Sequence, residues 1–141
     1  MSTETKDAIR DLQARIGAIN TANGWRNAPP PPGFEATHDI AVLALIGTEV
    51  SEAIEELRNG RGLTQYYSGG RSRLPDPLDP SRPTDDLGAP RKPEGVPSEL
   101  ADIVIRALDF ADARKIDLGA VIEEKVAYNA TRGHRHGGKS L

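Results

Sequence analysis

The stretch Leu45-Ile-Gly-Thr-Glu-Val-Ser-Glu-Ala-Ile-Glu-Glu56 decides the fold, because its apolar and acidic residues recur at three- and four-residue intervals. Side chains at these intervals lie on one side of an α-helix. Projected at ~100° per residue, Glu49, Glu52 and Glu56 form a ridge along one edge of an apolar sector. The pattern predicts an amphipathic helix over residues 37–59, with its acidic ridge at the boundary of the core.

A second pair of acids has the same spacing in Ser98-Glu-Leu-Ala-Asp-Ile-Val104, where Glu99 and Asp102 stand at positions i and i+3. The Cβ atoms of such a pair are about 5–6 Å apart on a helix surface. Two facing helices can therefore hold four carboxylates around a common point. Crowded carboxylates repel one another unless a cation neutralises them. The two pairs together predict a site for a hard cation.

The composition favours an all-α fold in a single domain. The chain has 141 residues, of which 37% are hydrophobic, and this suits one core of modest size. Aromatic residues make up 4%, so the core must be built from Leu, Ile, Val and Ala, which suits closely packed helices. Cysteine is absent, which excludes disulfides and thiolate metal sites. Any metal must bind to oxygen or nitrogen ligands.

Charge and hydropathy exclude several other classes of function. The N-terminus lacks the basic and then apolar order of a signal peptide, and no apolar run approaches the ~18 residues of a membrane span. We therefore expect a cytoplasmic protein without membrane contact. The net charge of −3 argues against specific binding to duplex nucleic acid.

The prolines divide the chain into its predicted elements, since all 11 lie between Pro29 and Pro97. The predicted elements are helices over 5–20, 37–59, 98–114 and 118–132, an irregular Pro- and Gly-rich insert over 60–97, and a flexible basic tail over 133–141. Thr37 is the expected N-cap of the second helix and Asp117 that of the fourth. The short link before Asp117 predicts that the third and fourth helices pack antiparallel.

The fourth helix has polar residues on its predicted inner side. Lys125, Asn129 and Arg132 project onto the same sector as the apolar residues that begin the helix. Charges that face a core need partners, because an unpaired buried charge is costly. Carboxylates, an anionic ligand or both would serve.

A carboxylate cluster next to cations suits phosphate chemistry. Mg²⁺ prefers oxygen ligands and often bridges protein carboxylates to substrate phosphates, whereas Lys and Arg bind the phosphates directly. Such equipment supports phosphoryl transfer or hydrolysis. The sequence contains no P-loop, no Gly-x-Gly-x-x-Gly fingerprint and no His-Glu-x-x-His zinc motif.

In this order, the motifs resemble the MazG-like all-α nucleoside triphosphate pyrophosphohydrolases over roughly residues 5–59 and 97–141. The motifs that carry the resemblance are Glu49-Val-Ser-Glu52, Glu99-Leu-Ala-Asp102, Asp117-Leu-Gly, Lys125-Val-Ala-Tyr-Asn129-Ala-Thr-Arg132 and His136-Gly-Gly-Lys139. The resemblance implies a bundle of four to five helices that is completed in a homodimer or homotetramer. It also implies Mg²⁺-dependent cleavage of (d)NTPs or modified nucleotides between the α and β phosphates.

The resemblance further implies a role for each motif residue. The implied metal ligands are Glu49, Glu52, Glu99 and Asp102, which would bind Mg²⁺ or, in its place, Mn²⁺. The implied catalytic residues are Glu49, Glu52 and Lys125, and the implied phosphate contacts are Lys125, Asn129, Arg132 and Lys139. Monophosphate and pyrophosphate would be the products.

Several alternatives remain open at this level. The same fold would also serve a non-enzymatic interaction module or a nucleotide sensor without turnover. The insert, which is longer than in the resembled family, is a lid, an oligomer contact or a disordered segment. Within it, Tyr66 and Tyr67 either stack on a base or pack in the loop. The tail either binds phosphate, contacts nucleic acid without specificity or is simply solvated, and Glu56 is either a further ligand or a surface residue.

Overall fold

The computed structural model describes residues 3–68, 71–72 and 92–133, and this part of the chain is built almost entirely of helices. The elements are α1 (Thr3–Ala22), α2 (Glu35–Arg58), β1 (Tyr67–Ser68), β2 (Arg71–Ser72), α3 (Val96–Ala113) and α4 (Leu118–Thr131). The two short strands pair antiparallel. The predicted all-α class is confirmed, and every predicted helix end lies within two residues of the observed one. Most of the predicted insert and the tail beyond residue 133 lie outside the described residues.

The chain forms two compact units. The first unit comprises Met1–Pro29 and Leu108–Leu141, and the second comprises Pro30–Ala107. The helix α3 begins in the second unit and ends in the first.

In the first unit, α1 packs against α4. The two helices approach closely at the buried Gly119, where an added Cβ would lie 2.7 Å from the backbone oxygen of Lys6. A larger residue at this position would push the two helices apart. The buried apolar side chains of this unit are Ile16, Leu108 and Ala111. The short link predicted that α4 packs antiparallel with α3, whereas its main packing partner is α1.

An arginine between two aspartates fastens the C-terminal end of α3 to the segment that follows α1. Arg26 donates to Asp112 Oδ2 at 2.7 Å and to Asp109 Oδ1 at 2.6 Å. These bonds raise the pKa of Arg26, with Asp112 as the larger cause. The guanidinium offsets the repulsion between two partly buried carboxylates that lie one turn apart.

The N-terminus of α4 is capped as predicted. The Asp117 carboxylate accepts the N–H of Ala120 at 3.1 Å. Arg10, on α1, donates to both carboxylate oxygens, with Nε at 3.0 and 3.1 Å from them. These contacts, with Arg10 as the largest cause, lower the pKa of Asp117 from 3.8 to about 2. Asp117 therefore caps α4 and also ties α4 to α1.

The prediction of an N-cap at Thr37 is wrong. The residue before α2 is Phe34, which makes no side-chain cap bond, and Thr37 lies within the first turn. The side chain that reaches back is Glu35, which accepts the N–H of Gly33 at 2.9 Å. At the other end, α2 stops at Asn59 and Gly60, as the sequence indicated.

Replacement of Asp117 by Asn should lower the melting temperature at neutral pH, because the charged cap and the ion pair with Arg10 are both lost. The pKa of Asp117 is lower in the folded chain than its ordinary value of 3.8, so the carboxylate stabilises the fold above this value. That contribution disappears as the pH falls through about 2. Thermal melts followed by circular dichroism should show a constant difference between wild type and Asp117→Asn above pH ~5 that closes on acidification.

The matched control is Asp11→Asn, which changes an exposed aspartate of α1 and should alter the melting temperature little at any pH. A difference between wild type and Asp117→Asn that persists unchanged down to pH ~2 would contradict the assignment.

Candidate metal centre

Three of the four predicted acids meet within the second unit. Glu49 and Glu52 lie on neighbouring turns of α2, and Glu99 lies in the first turn of α3. One carboxylate oxygen from each lies within 4.8 Å of the other two. Glu49 and Glu99 are buried, whereas Glu52 is exposed. The group therefore has two ligands fixed inside the protein and one at an open edge.

Glu99 gives the strongest indication that this group could hold a cation. Its side chain is 5% exposed, and its Oε2 has no hydrogen-bond partner among the described residues. Burial raises the pKa of Glu99, and the charge of Glu52 raises it further. A buried acceptor without a partner loses free energy of roughly 1–3 kcal/mol, and more when it is charged. A cation held between Glu99 and its two neighbours would restore this loss.

The backbone at the start of α3 fixes the position of Glu99. The carbonyl of Gly95 accepts the N–H of Ser98 at 2.8 Å and that of Glu99 at 3.2 Å. The Ser98 hydroxyl in turn donates to the carbonyl of Pro93 at 3.1 Å. These bonds hold the first turn of α3 against the segment before it, so the carboxylate of Glu99 comes from a rigid helix end.

Asp102, the fourth predicted ligand, lies beside the group rather than within it. It stands one turn after Glu99, and its charge contributes to the raised pKa of Glu99. It does not belong to the three residues whose ligand atoms approach within 4.8 Å. The half-buried Asp102 instead lines a neighbouring cavity of about 680 Å³. Glu56, on the same ridge as Glu49, is half-buried and also lies outside the three.

Arg106 is a site residue to which the sequence assigned no role. Its Nε donates to Glu49 Oε1 at 2.5 Å, from one turn beyond Asp102 on α3. The Arg106 guanidinium neutralises the buried carboxylate of Glu49 by binding to one of its two oxygens. The available signal was the narrow polar band of the third helix, in which Arg106 follows Glu99 and Asp102 at helical spacing.

The predicted phosphate contacts of α4 belong to the first unit and do not face inward. Lys125, Asn129 and Arg132 are all exposed, so the inward projection is wrong for the single chain. Every described residue from Glu124 onward is exposed, because α4 is covered only near its start, at Gly119. Instead, Lys125 Nζ lies 5.8 Å and Arg132 Cζ lies 5.9 Å from the centre of the Tyr128 ring. Lys139 lies outside the described residues.

Comparison of the chain with protein-family models, with curated proteins and with solved structures gave no match. Among the described residues, no helix is long and apolar enough to cross a membrane. The chemistry of the acidic group is therefore the basis on which its function can be assigned.

Binding of Mg²⁺ should raise the melting temperature of the wild type, because the ion binds to the folded chain through Glu49, Glu52 and Glu99. At a Mg²⁺ concentration of about 100 times Kd, the gain in unfolding free energy is about 2.7 kcal/mol. Glu99→Gln should abolish most of this shift. Glu55→Gln, on the exposed side of α2, is the matched control and should retain it. Differential scanning calorimetry with and without Mg²⁺ measures all three proteins, and a full shift in Glu99→Gln would place the ion elsewhere.

Proposed function

We propose that the chain is a Mg²⁺-dependent nucleotide pyrophosphohydrolase, which cleaves (d)NTPs or modified nucleotides between the α and β phosphates. The observation that carries the proposal is the convergence of Glu49, Glu52 and Glu99, with an unpartnered buried oxygen on Glu99. The order of the sequence motifs supplies the phosphate chemistry. The products are a nucleoside monophosphate and pyrophosphate.

The ligand set favours Mg²⁺ over softer metals. All three side chains offer carboxylate oxygen, the donor that Mg²⁺ prefers, and Mn²⁺ can take its place on the same ligands. Mg²⁺ usually keeps several water molecules and completes its shell with substrate phosphates. The exposed Glu52 leaves one side of the group accessible to both.

Burial separates the roles of the carboxylates. Glu49 and Glu99 are buried and fixed, so they hold the ion, which when bound neutralises the phosphate oxygens and positions the attacking water. Glu52, at the open edge, is the residue that accepts a proton from this water. One water is consumed, one bond from phosphorus to the bridging oxygen breaks, and pyrophosphate departs. Asp102 lies close enough for its charge to raise the pKa of Glu99, and it serves as a fourth acid at the edge of the group.

A second copy of the chain is the partner we assign to the exposed side of α2. Its apolar residues follow alternating steps of three and four, which is the spacing of a helix-pairing seam. The seam consists of Ile40, Leu43, Gly47, Val50, Ile54 and Leu57. Each large member is 43–69% exposed, and a Cβ at Gly47 would meet nothing within 4 Å. Because the seam can pair with itself about a two-fold axis, it would be covered in a homodimer or in a homotetramer built as a dimer of dimers.

The same assembly gives the exposed α4 cations a role. Lys125 and Arg132 are accompanied on α4 by the exposed apolar side chains of Val121, Val126 and Tyr128. An outward face with both apolar and cationic groups suits an interface next to an anionic ligand. In the proposed oligomer, Lys125 completes the catalytic set, and it joins Asn129, Arg132 and Lys139 in binding the phosphates.

Incubation with each of the common NTPs and dNTPs in Mg²⁺ should release pyrophosphate and the matching monophosphate. Glu52→Gln should reduce kcat by about 10²–10⁴-fold, because the proton acceptor is lost. Glu55→Gln is the control of matched chemistry and should keep the wild-type rate. Ion-exchange chromatography identifies the products. Release of orthophosphate with a diphosphate would contradict the assigned bond, and binding without any release would indicate a nucleotide sensor.

Light scattering should give two or four times the chain mass of 15.2 kDa. The double substitution Leu43→Glu with Ile54→Glu should yield monomers, because it places like charges in the seam. Thr48→Glu with Ser51→Glu adds the same charge to the exposed polar side of α2 and should leave the mass unchanged. A monomeric wild type would refute the self-association.

A further inference from the structure

A cavity beside the acidic group has the properties of a ligand site. It measures about 680 Å³ and lies between the start of α3 and two segments of chain that follow α2. Its lining consists of Thr64, Tyr66, Lys92, Pro93, Pro97, Ser98, Ala101, Asp102 and Ile105. All of these residues belong to the second unit, which also contains the acidic group. The volume falls within the range of about 300–1,000 Å³ that is usual for small-molecule sites.

The wall of the cavity is mainly apolar and includes an aromatic ring. Residues 97, 98, 101, 102 and 105 present one face of α3, on which Ala101 and Ile105 are the apolar members beyond Pro97. Tyr66 and Pro93 line the cavity from the neighbouring chain segments. Bases bind to protein by stacking on flat apolar and aromatic surfaces. The wall therefore suits a planar, largely apolar group.

The two charged residues of the cavity lie near the acidic group. Asp102 lines the cavity and stands one turn from Glu99. Lys92 lines it as well, and its positive charge acts on Glu99 in opposition to Glu52. A ligand that fills the cavity would thus have its anionic end next to Lys92 and the three carboxylates, and its apolar end on the Tyr66 side.

We propose that this cavity is the nucleoside subsite of the enzyme, where the base and sugar of a nucleoside 5′-triphosphate bind against Tyr66, Ala101 and Ile105. The phosphate chain then passes Lys92 to reach the group of Glu49, Glu52 and Glu99. This assignment rests on the proposed function. If the base binds here, the segments around Tyr66 and Lys92 are the parts of the chain that select it.

The test compares a nucleotide with inorganic triphosphate, which has the same type of phosphoanhydride bond and no nucleoside. Ala101→Phe fills the cavity and should raise KM for ATP, GTP, CTP and UTP at least ~10-fold, equivalent to ~1.4 kcal/mol. KM for inorganic triphosphate should stay unchanged. Tyr66→Ala removes the stacking surface and should show the same split. Lys92→Gln should raise KM for both kinds of substrate, since it removes a phosphate contact.

The control for added bulk is Ala18→Phe, which places the same side chain on the exposed side of α1 and should change neither KM. Melting temperatures verify that each variant is folded, and Tyr66→Ala provides the test if Ala101→Phe does not fold. If nucleotide KM is unchanged in the folded cavity variant while hydrolysis continues, the subsite is wrong and the enzyme assignment stands.

If the wild type hydrolyses no nucleotide, the cavity is tested by a separate binding measurement. Titration calorimetry with AMP, GMP, CMP and UMP in the presence of Mg²⁺ then tests the cavity alone. Binding that Ala101→Phe removes would support the subsite even though the proposed reaction had failed. Equal binding by wild type and Ala101→Phe, or no binding by either, would overturn it.

Discussion

The buried carboxylate of Glu99 is the constraint on which the site depends. Its Oε2 lies inside the second unit without a hydrogen-bond partner among the described residues, and the charges of Glu52 and Glu49 act against its ionised form. Arg106 satisfies Glu49, but no comparable bond reaches the unpaired oxygen of Glu99 in the described part of the chain. An added cation would restore the free energy lost by burying this charge, and protonation of the carboxylate would relieve it as well. The position of Glu99 thus makes the three carboxylates a group that could bind a metal ion.

The polar band of α3 provides an internal comparison. At the C-terminal end of the helix, Asp109 and Asp112 have the same i, i+3 spacing as Glu99 and Asp102, and Arg26 pairs with both. That pair of carboxylates is satisfied by the protein itself and needs no ion. At the N-terminal end, Glu99 has no such bond to Oε2. Two acidic pairs with the same spacing therefore differ in whether the tertiary structure supplies a cationic partner. Arg26 does so for Asp109 and Asp112, and no such bond reaches Glu99 Oε2 among the described residues.

The periodic features could be predicted from the sequence, and the features that depend on distant pairing could not. The helix bounds follow from three- and four-residue spacing, and the Asp117 cap follows from the residue type at the start of α4. The meeting of Glu49 with Glu99 is the exception among the distant pairings, because two acidic pairs of the same spacing indicated it. The bonds of Arg10 to Asp117 and of Arg106 to Glu49 join residues 107 and 57 positions apart, which no local pattern encodes. The inward projection of the three polar α4 residues failed because it assumed that the core continues along the whole helix. The cavity could not be predicted, because part of its wall comes from irregular segments whose sequence has no periodic pattern.

The exposed seam of α2 also bears on the acidic group, because one helix carries both. Among the described residues the buried apolar side chains are few, and the large apolar residues of the seam are exposed. A helix with so much of its apolar surface in water is poorly fixed by the single chain. Glu49 and Glu52 lie on the opposite side of the same helix, so pairing through Gly47 would fix the helix that supplies two of the three ligands. Assembly and metal binding would then stabilise the same element from two sides, and each should strengthen the other.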